Sequence, residues 1–137
     1  MKTFFDSSAF AKRYVEEPGS QAVDSICQEA TEVALSVLCV PEILSALNRR
    51  VREGILTSRE YEEAKQYLSQ DIRDVVIINL IPQVISTCTK ILEASPVRAA
   101  DALQIACALG WETELFVSAD RRQISAAKKA GLRTKLV

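Results

Sequence analysis

The sequence contains no histidine. That absence removes Ser-His-Asp and Cys-His nucleophilic catalysis, histidine acid–base chemistry and the usual mixed zinc sites. Glycine is nearly as scarce, with Gly19, Gly54, Gly110 and Gly131 the only four in 137 residues. They form neither a GxGxxG turn nor a Walker-type loop, so no cradle of backbone amides around phosphates is expected. The four cysteines, Cys27, Cys39, Cys88 and Cys107, lie far apart without a CxxC pair. Zinc-knuckle and thioredoxin-like chemistry are therefore not expected, and each thiol reads as a small core residue. Long apolar runs are also missing. Val75 to Ile81 is interrupted by Asn79 and stopped by Pro82, far short of the roughly 20 residues needed to cross a bilayer. Met1 to Phe5 reaches Asp6 before any apolar segment of signal-peptide length. A cytoplasmic location without membrane association is expected, and the chemistry must rest on carboxylates, hydroxyls and bases such as lysine.

What is present describes a well-filled globular chain. Hydrophobic residues make up 48% and charged residues 26%, with both signs mixed and a net charge of -1, and the mean hydropathy is +0.06. This composition opposes disorder, and the length fits one compact domain over residues 1–137. The pattern predicts strands at Lys2 to Phe5, Val33 to Val37, Val75 to Asn79, Leu115 to Ser118 and Leu132 to Val137. Between them lie helical stripes. One helix runs from about Ser7 to Val15, and the next carries Ala22, Val23, Ile26 and Ala30. A third buries Val40, Ile43, Leu44, Leu47 and Val51. Thr57 with Glu60 forms a capping box for a fourth, and Pro82 opens a fifth through Val84, Cys88 and Ile91. Ser95-Pro96 is expected to start a sixth over about Val97 to Leu109, and Asp120 a seventh through Ala130. Strands alternating with helices predict an α/β fold with a mainly parallel sheet covered on both faces. In such folds sites form beyond the carboxyl ends of the strands, where Asp6 and Asp120 both fall.

Four acidic residues draw attention, each with a plain structural reading beside the chemical one. Asp6 follows a strand and is an ordinary helix N-cap. Glu42, after Pro41, stands where a helix dipole favours a carboxylate anyway. Asp101 lies among Ala99, Ala100, Ala102 and Leu103, an apolar setting that disfavours its charge, with Arg98 its expected i,i+3 partner. Asp120 with Gln123 resembles a capping box.

The surrounding motifs tie the four together. Phe4-Phe5-Asp6-Ser7-Ser8-Ala9, continuing to Tyr14-Val15-Glu16-Glu17-Pro18-Gly19-Ser20, resembles the opening of bacterial and archaeal PIN domains. Val40-Pro41-Glu42-Ile43-Leu44-Ser45-Ala46-Leu47 resembles the second acidic motif of that family. Arg98-Ala99-Ala100-Asp101-Ala102-Leu103-Gln104-Ile105-Ala106 resembles the third, and Phe116-Val117-Ser118-Ala119-Asp120 the fourth. The resemblance runs through the chain in order, and the length is most similar to VapC-type toxins. It implies a PIN-like three-layer α/β/α sandwich of about five strands. It also implies a ribonuclease that uses Mg2+ or Mn2+, with Asp6, Glu42 and Asp101 on the principal ion. Asp120 would help hold a second ion or orient a water, and Ser7 and Ser118 would support the cluster. Gln104 departs from the pattern, since many relatives have histidine there.

The implied partners are an RNA substrate, a small antitoxin protein and a second copy in a homodimer. Lys12, Arg13, Arg98 and Arg121 lie near the acidic motifs and are candidates for phosphate contacts, as are Arg49, Arg50 and Arg122; ordinary solvated charge is the plain alternative. Two other functions stay open at this point: a catalytically silent PIN scaffold, and a receiver-like regulatory domain with an acidic magnesium pocket.

Overall fold

A computed structural model describes residues 1–137. Five strands, β1 (Lys2–Phe5), β2 (Glu32–Ser36), β3 (Val76–Ile78), β4 (Leu115–Ser118) and β5 (Thr134–Leu136), form one sheet in the order β3-β2-β1-β4-β5. Every neighbouring pair is parallel. The seven α-helices are α1 (Ser7–Phe10), α2 (Ser20–Glu29), α3 (Cys39–Arg52), α4 (Ser58–Asp71), α5 (Pro82–Ala94), α6 (Ala99–Gly110) and α7 (Arg121–Lys129).

Two cores flank the sheet because successive strand residues point to opposite faces. Phe4, Ala34 and Phe116 pack with Val84, Cys88 and Ile91 of α5, the apolar face of α6, and Ile124 and Ala127 of α7. Phe5, Leu35 and Val117 pack with Phe10, Val23, Ile43, Leu47 and Leu68 from the first four helices. This is the three-layer α/β/α sandwich. Phe4 and Phe116 are stacked with ring centroids 5.8 Å apart on the central strands, where burial of both rings contributes several kcal/mol, on the order of 2–3 per side chain. Cys39, Cys88 and Cys107 are buried and Cys27 half-buried, all as free thiols.

Local signals explain several element ends. The Thr57–Glu60 capping box is present in both directions, and Pro82 occupies the first turn of α5. Other boundaries differ from the sequence pattern. The helix expected from Ser7 to Val15 is α1 followed by a 3-10 turn at Ala11–Arg13, tightened by the Tyr14 N–H to the Ala11 carbonyl at 3.0 Å. Ser95 does not start α6; it caps the C-terminus of α5. Arg98 is the N-cap of α6, without a side-chain capping bond. Asp101 therefore lies in the first turn of α6, not in its interior. β5 is shorter than expected because Gly131, at φ 96°, and Leu132 close the end of α7 through bonds to Lys128 and Ala127.

From β1 the chain adds β2 and β3 on one side, then crosses to add β4 and β5 on the other. That reversal opens a crevice at the carboxyl ends of β1 and β4, the usual ligand position in open parallel sheets. No helix is long and apolar enough to cross a membrane.

Candidate active site

Four helices begin at this crevice, and each brings one acidic residue. Asp6 is the N-cap of α1 and Asp120 the N-cap of α7, while Glu42 and Asp101 lie in the first turns of α3 and α6. The positive ends of helix dipoles favour carboxylates there. Capping and clustering thus coexist: the plain reading of Asp6 and Asp120 as caps is correct, and both caps lie at the crevice.

Asp6 is the most deeply set, at 4% exposure. Its Oδ1 accepts from the Ala9 amide at 2.9 Å. Ser8 Oγ lies 2.9 and 2.8 Å from its two oxygens, and Ser118 Oγ lies 3.0 Å from Oδ2. Burial pushes the carboxyl up to about 7; the bonds from Ala9, Ser8 and Ser118 oppose that rise and the nearby Asp101 charge adds to it. Asp101 is also raised, first by burial, then by Asp120 and Glu42, against the lowering effect of Arg98. Arg98 makes no ion pair with Asp101 within 4.0 Å; the ion pairs of the chain lie elsewhere.

A polar scaffold fixes the other two acids. Ser7 Oγ donates to Glu42 Oε1 at 2.7 Å, and Gln104 Nε2 donates to Ser7 Oγ at 2.7 Å and to Glu42 Oε1 at 2.8 Å. Gln104 is 2% exposed, and its Oε1 is buried without a partner. Asp120 Oδ1 accepts from the Arg122 amide at 2.8 Å, while Ser118 Oγ accepts from the Asp120 amide at 3.0 Å. Gln123 does not complete a capping box. Its side chain turns to the Asp101 carbonyl at 3.2 Å and to Ser118 Oγ at 3.0 Å, linking β4 to α6.

Ser8 was not singled out from the sequence, and Gln123 was read there only as the capping-box partner of Asp120. A Ser two residues after an N-cap and a Gln three residues after one were the available signals. Burial pushes the Cys39 thiol up to about 12, so it is a packed neighbour of Ser7 and not a thiolate ligand.

The basic candidates divide. Lys12 donates to the Pro18 carbonyl at 2.6 Å and pairs with Glu17 at 3.6 Å. Arg13 pairs with Asp71 at 3.4 Å and Asp24 at 3.8 Å, and Arg50 with Glu17 at 3.1 Å. Lys12 and Arg13 are thus committed to the protein's own acids and carbonyls. Arg98 and Arg121, by contrast, are exposed beside the acidic crevice.

The donor set is entirely oxygen and its members repel one another, which fits a hard divalent cation such as Mg2+ or Mn2+. No three of the acidic side chains stand at a spacing that would hold one ion in this conformation. Asp101 is raised by burial and by the Asp120 and Glu42 charges, and the Gln104 oxygen has no partner, so the crevice holds polar groups that are incompletely satisfied.

The PIN domain family model matches residues 3–129. The chain belongs to the PIN domain family. No curated protein sequence matches it significantly. Among solved structures, the PIN chain resembles VapBC2 from Rickettsia felis bound to a promoter DNA fragment, with a TM-score of 0.72 and 11% identity over 100% of this chain and 99% of that one. It also resembles VapC20 from Mycobacterium tuberculosis, described as a sarcin-ricin loop cleaving toxin (TM-score 0.70, 17% identity, 95% of each chain). A third is DNA-bound VapBC from Salmonella typhimurium (TM-score 0.70, 14% identity, 98% and 97% covered). At these identities the likeness is one of fold, and it extends over nearly the full length of each.

Proposed function

We propose that this PIN domain is a divalent-metal-dependent endoribonuclease and the toxin of a VapBC-type toxin–antitoxin pair. The observation that carries the reading is the convergence of Asp6, Glu42, Asp101 and Asp120 from four helix starts onto one crevice, in a chain without histidine. These four would hold Mg2+ or Mn2+. When bound, the ion supplies Lewis-acid charge for in-line hydrolysis of a phosphodiester. The chain's own part is positional. Ser8, Ser118 and the Ala9 amide orient Asp6, and Ser7 with Gln104 orients Glu42. Arg98 and Arg121 offer cationic contacts to the RNA phosphates.

The toxin assignment is supported by fold neighbours solved as toxin–antitoxin complexes. Exposed apolar side chains supply surface for a small antitoxin and for a homodimer: Ile55 and Tyr67 near α4, and Ile81, Ile85 and Leu92 on or beside α5. Membership of the PIN family removes the receiver-like alternative. A silent scaffold is the second reading, favoured by the lack of a preformed three-ligand group.

Purified protein on single-stranded and structured RNA separates them. Cleavage in magnesium or manganese, abolished by chelator and strongly reduced by Asp6→Asn and Asp120→Asn with unchanged circular dichroism, is the expected result. Near-normal rates in both variants, or cleavage that persists in EDTA after contaminating nucleases are excluded, would overturn the proposal. Metal binding without cleavage would establish the scaffold.

A further inference from the structure

From Arg121 onward the sequence contains Arg121, Arg122, Lys128, Lys129, Arg133 and Lys135 and no Asp or Glu, although the whole chain is at -1. The fold gathers part of this charge. α7 and β5 lie side by side, and between them runs a groove of about 450 Å³ lined by Arg121, Ser125, Lys128, Thr134 and Lys135, together with the apolar Ile124 and Leu136. No acidic residue lines it. Arg121, Lys128 and Lys135 take part in none of the chain's ion pairs or side-chain hydrogen bonds, unlike Lys129, which donates to the Ala94 carbonyl at 2.5 Å.

Helix stability does not account for the arrangement. A cation at position 121 opposes the positive end of the α7 dipole. Three uncompensated cations around one groove repel each other, and an anion is the partner that relieves them.

The groove begins one residue after Asp120 and follows α7 for about 10 Å at 1.5 Å per residue. Its hydroxyls add neutral donors for phosphate oxygens. No aromatic side chain lines it, so it lacks a platform for stacking bases. We infer that the α7–β5 groove holds the phosphodiester backbone of the RNA beside the cleaved position, through Arg121, Lys128 and Lys135. This inference rests on the ribonuclease reading and adds the path of the substrate.

The test is fluorescence anisotropy with a short fluorescein-labelled single-stranded RNA, in EDTA to prevent cleavage, over a salt series. Lys128→Gln combined with Lys135→Gln should weaken binding and lower the slope of log affinity against log salt by about 1.4, at about 0.7 for each single-strand phosphate that is no longer neutralised. A charge-matched control, Arg59→Gln with Lys65→Gln on α4, should keep the wild-type slope. If the groove variant keeps the wild-type slope while the wild type cleaves RNA, the groove assignment falls and the nuclease reading stands. An equal loss in the control also overturns the groove. A wild type that neither binds nor cleaves RNA overturns both. A loss confined to duplex DNA assigns the groove to another nucleic acid and overturns the inference.

Discussion

Asp6→Asn offers a direct test of how the buried carboxylate is held. Asparagine keeps an acceptor for the Ala9 amide, and its amino group would face Ser8 and Ser118, whose hydroxyls can turn to accept. The cap survives while the titration is removed. In the wild type the folded-state value is about 7 against an ordinary 3.8. The native state therefore holds this proton more tightly than the unfolded chain, so the contribution of this group to stability is greatest at acid pH and falls as pH rises from about 4 through about 7. Between about pH 5 and about pH 8 this one group costs the metal-free fold about 3 kcal/mol. For a chain of this size that corresponds to about 10 °C in Tm. No histidine titrates in this window. Thermal melts in EDTA at the two pH values should show the wild type losing about 10 °C more than Asp6→Asn. Parallel pH profiles for the two proteins would refute the burial argument.

Asp101→Asn removes one of several like charges. It should melt higher than wild type in chelator, lose most of the manganese-induced rise in Tm and cleave RNA poorly. An unchanged manganese shift would take Asp101 out of the site. Gln104→Leu deletes the donor shared by Ser7 and Glu42. It should cost about 1–3 kcal/mol in stability and lower kcat for RNA cleavage. Gln104→His, which restores a ring N–H donor, should recover most of the lost rate in the same assay.

β1 and β4 were legible to the residue because each is a short run with bulky apolar residues, followed within two residues by an aspartate that caps the next helix. The Thr57–Glu60 and Pro82 signals are local and complete in themselves, so they survive any tertiary context. Ser95-Pro96 misleads for a physical reason: a serine before a proline has the extended backbone of an N-cap, but the same conformation ends α5, and the next helix starts four residues later, at Ala99. The acidic residues were visible through the resemblance. Their supports were less so, since Ser8 and Gln123 matter through partners more than a hundred and about twenty residues away, respectively. Lys12 and Arg13 looked available because sequence shows charge without its partners. The α7–β5 groove was missed for the converse reason: Arg121, Lys128 and Lys135 are spread along the sequence, and only the parallel pairing of β4 with β5 sets α7 beside the last strand.

The split of Phe4 and Phe5 between the two cores bears on how faults spread through this molecule. A slip of β1 by one residue would set Thr3 or Asp6 into one of the two phenylalanine positions and carry Asp6 about 3.3 Å along the strand, away from Ser118 and from the other acids. One core would then hold a polar side chain in place of a ring, so packing checks the position of the carboxylate. A chain with a misaligned site is in this design also an unstable chain, exposed to unfolding and degradation before it can act as a faulty enzyme. Replacing Phe4 or Phe5 should therefore reduce the amount of folded protein more than the activity of each folded molecule, whereas replacing Asp6 should do the reverse.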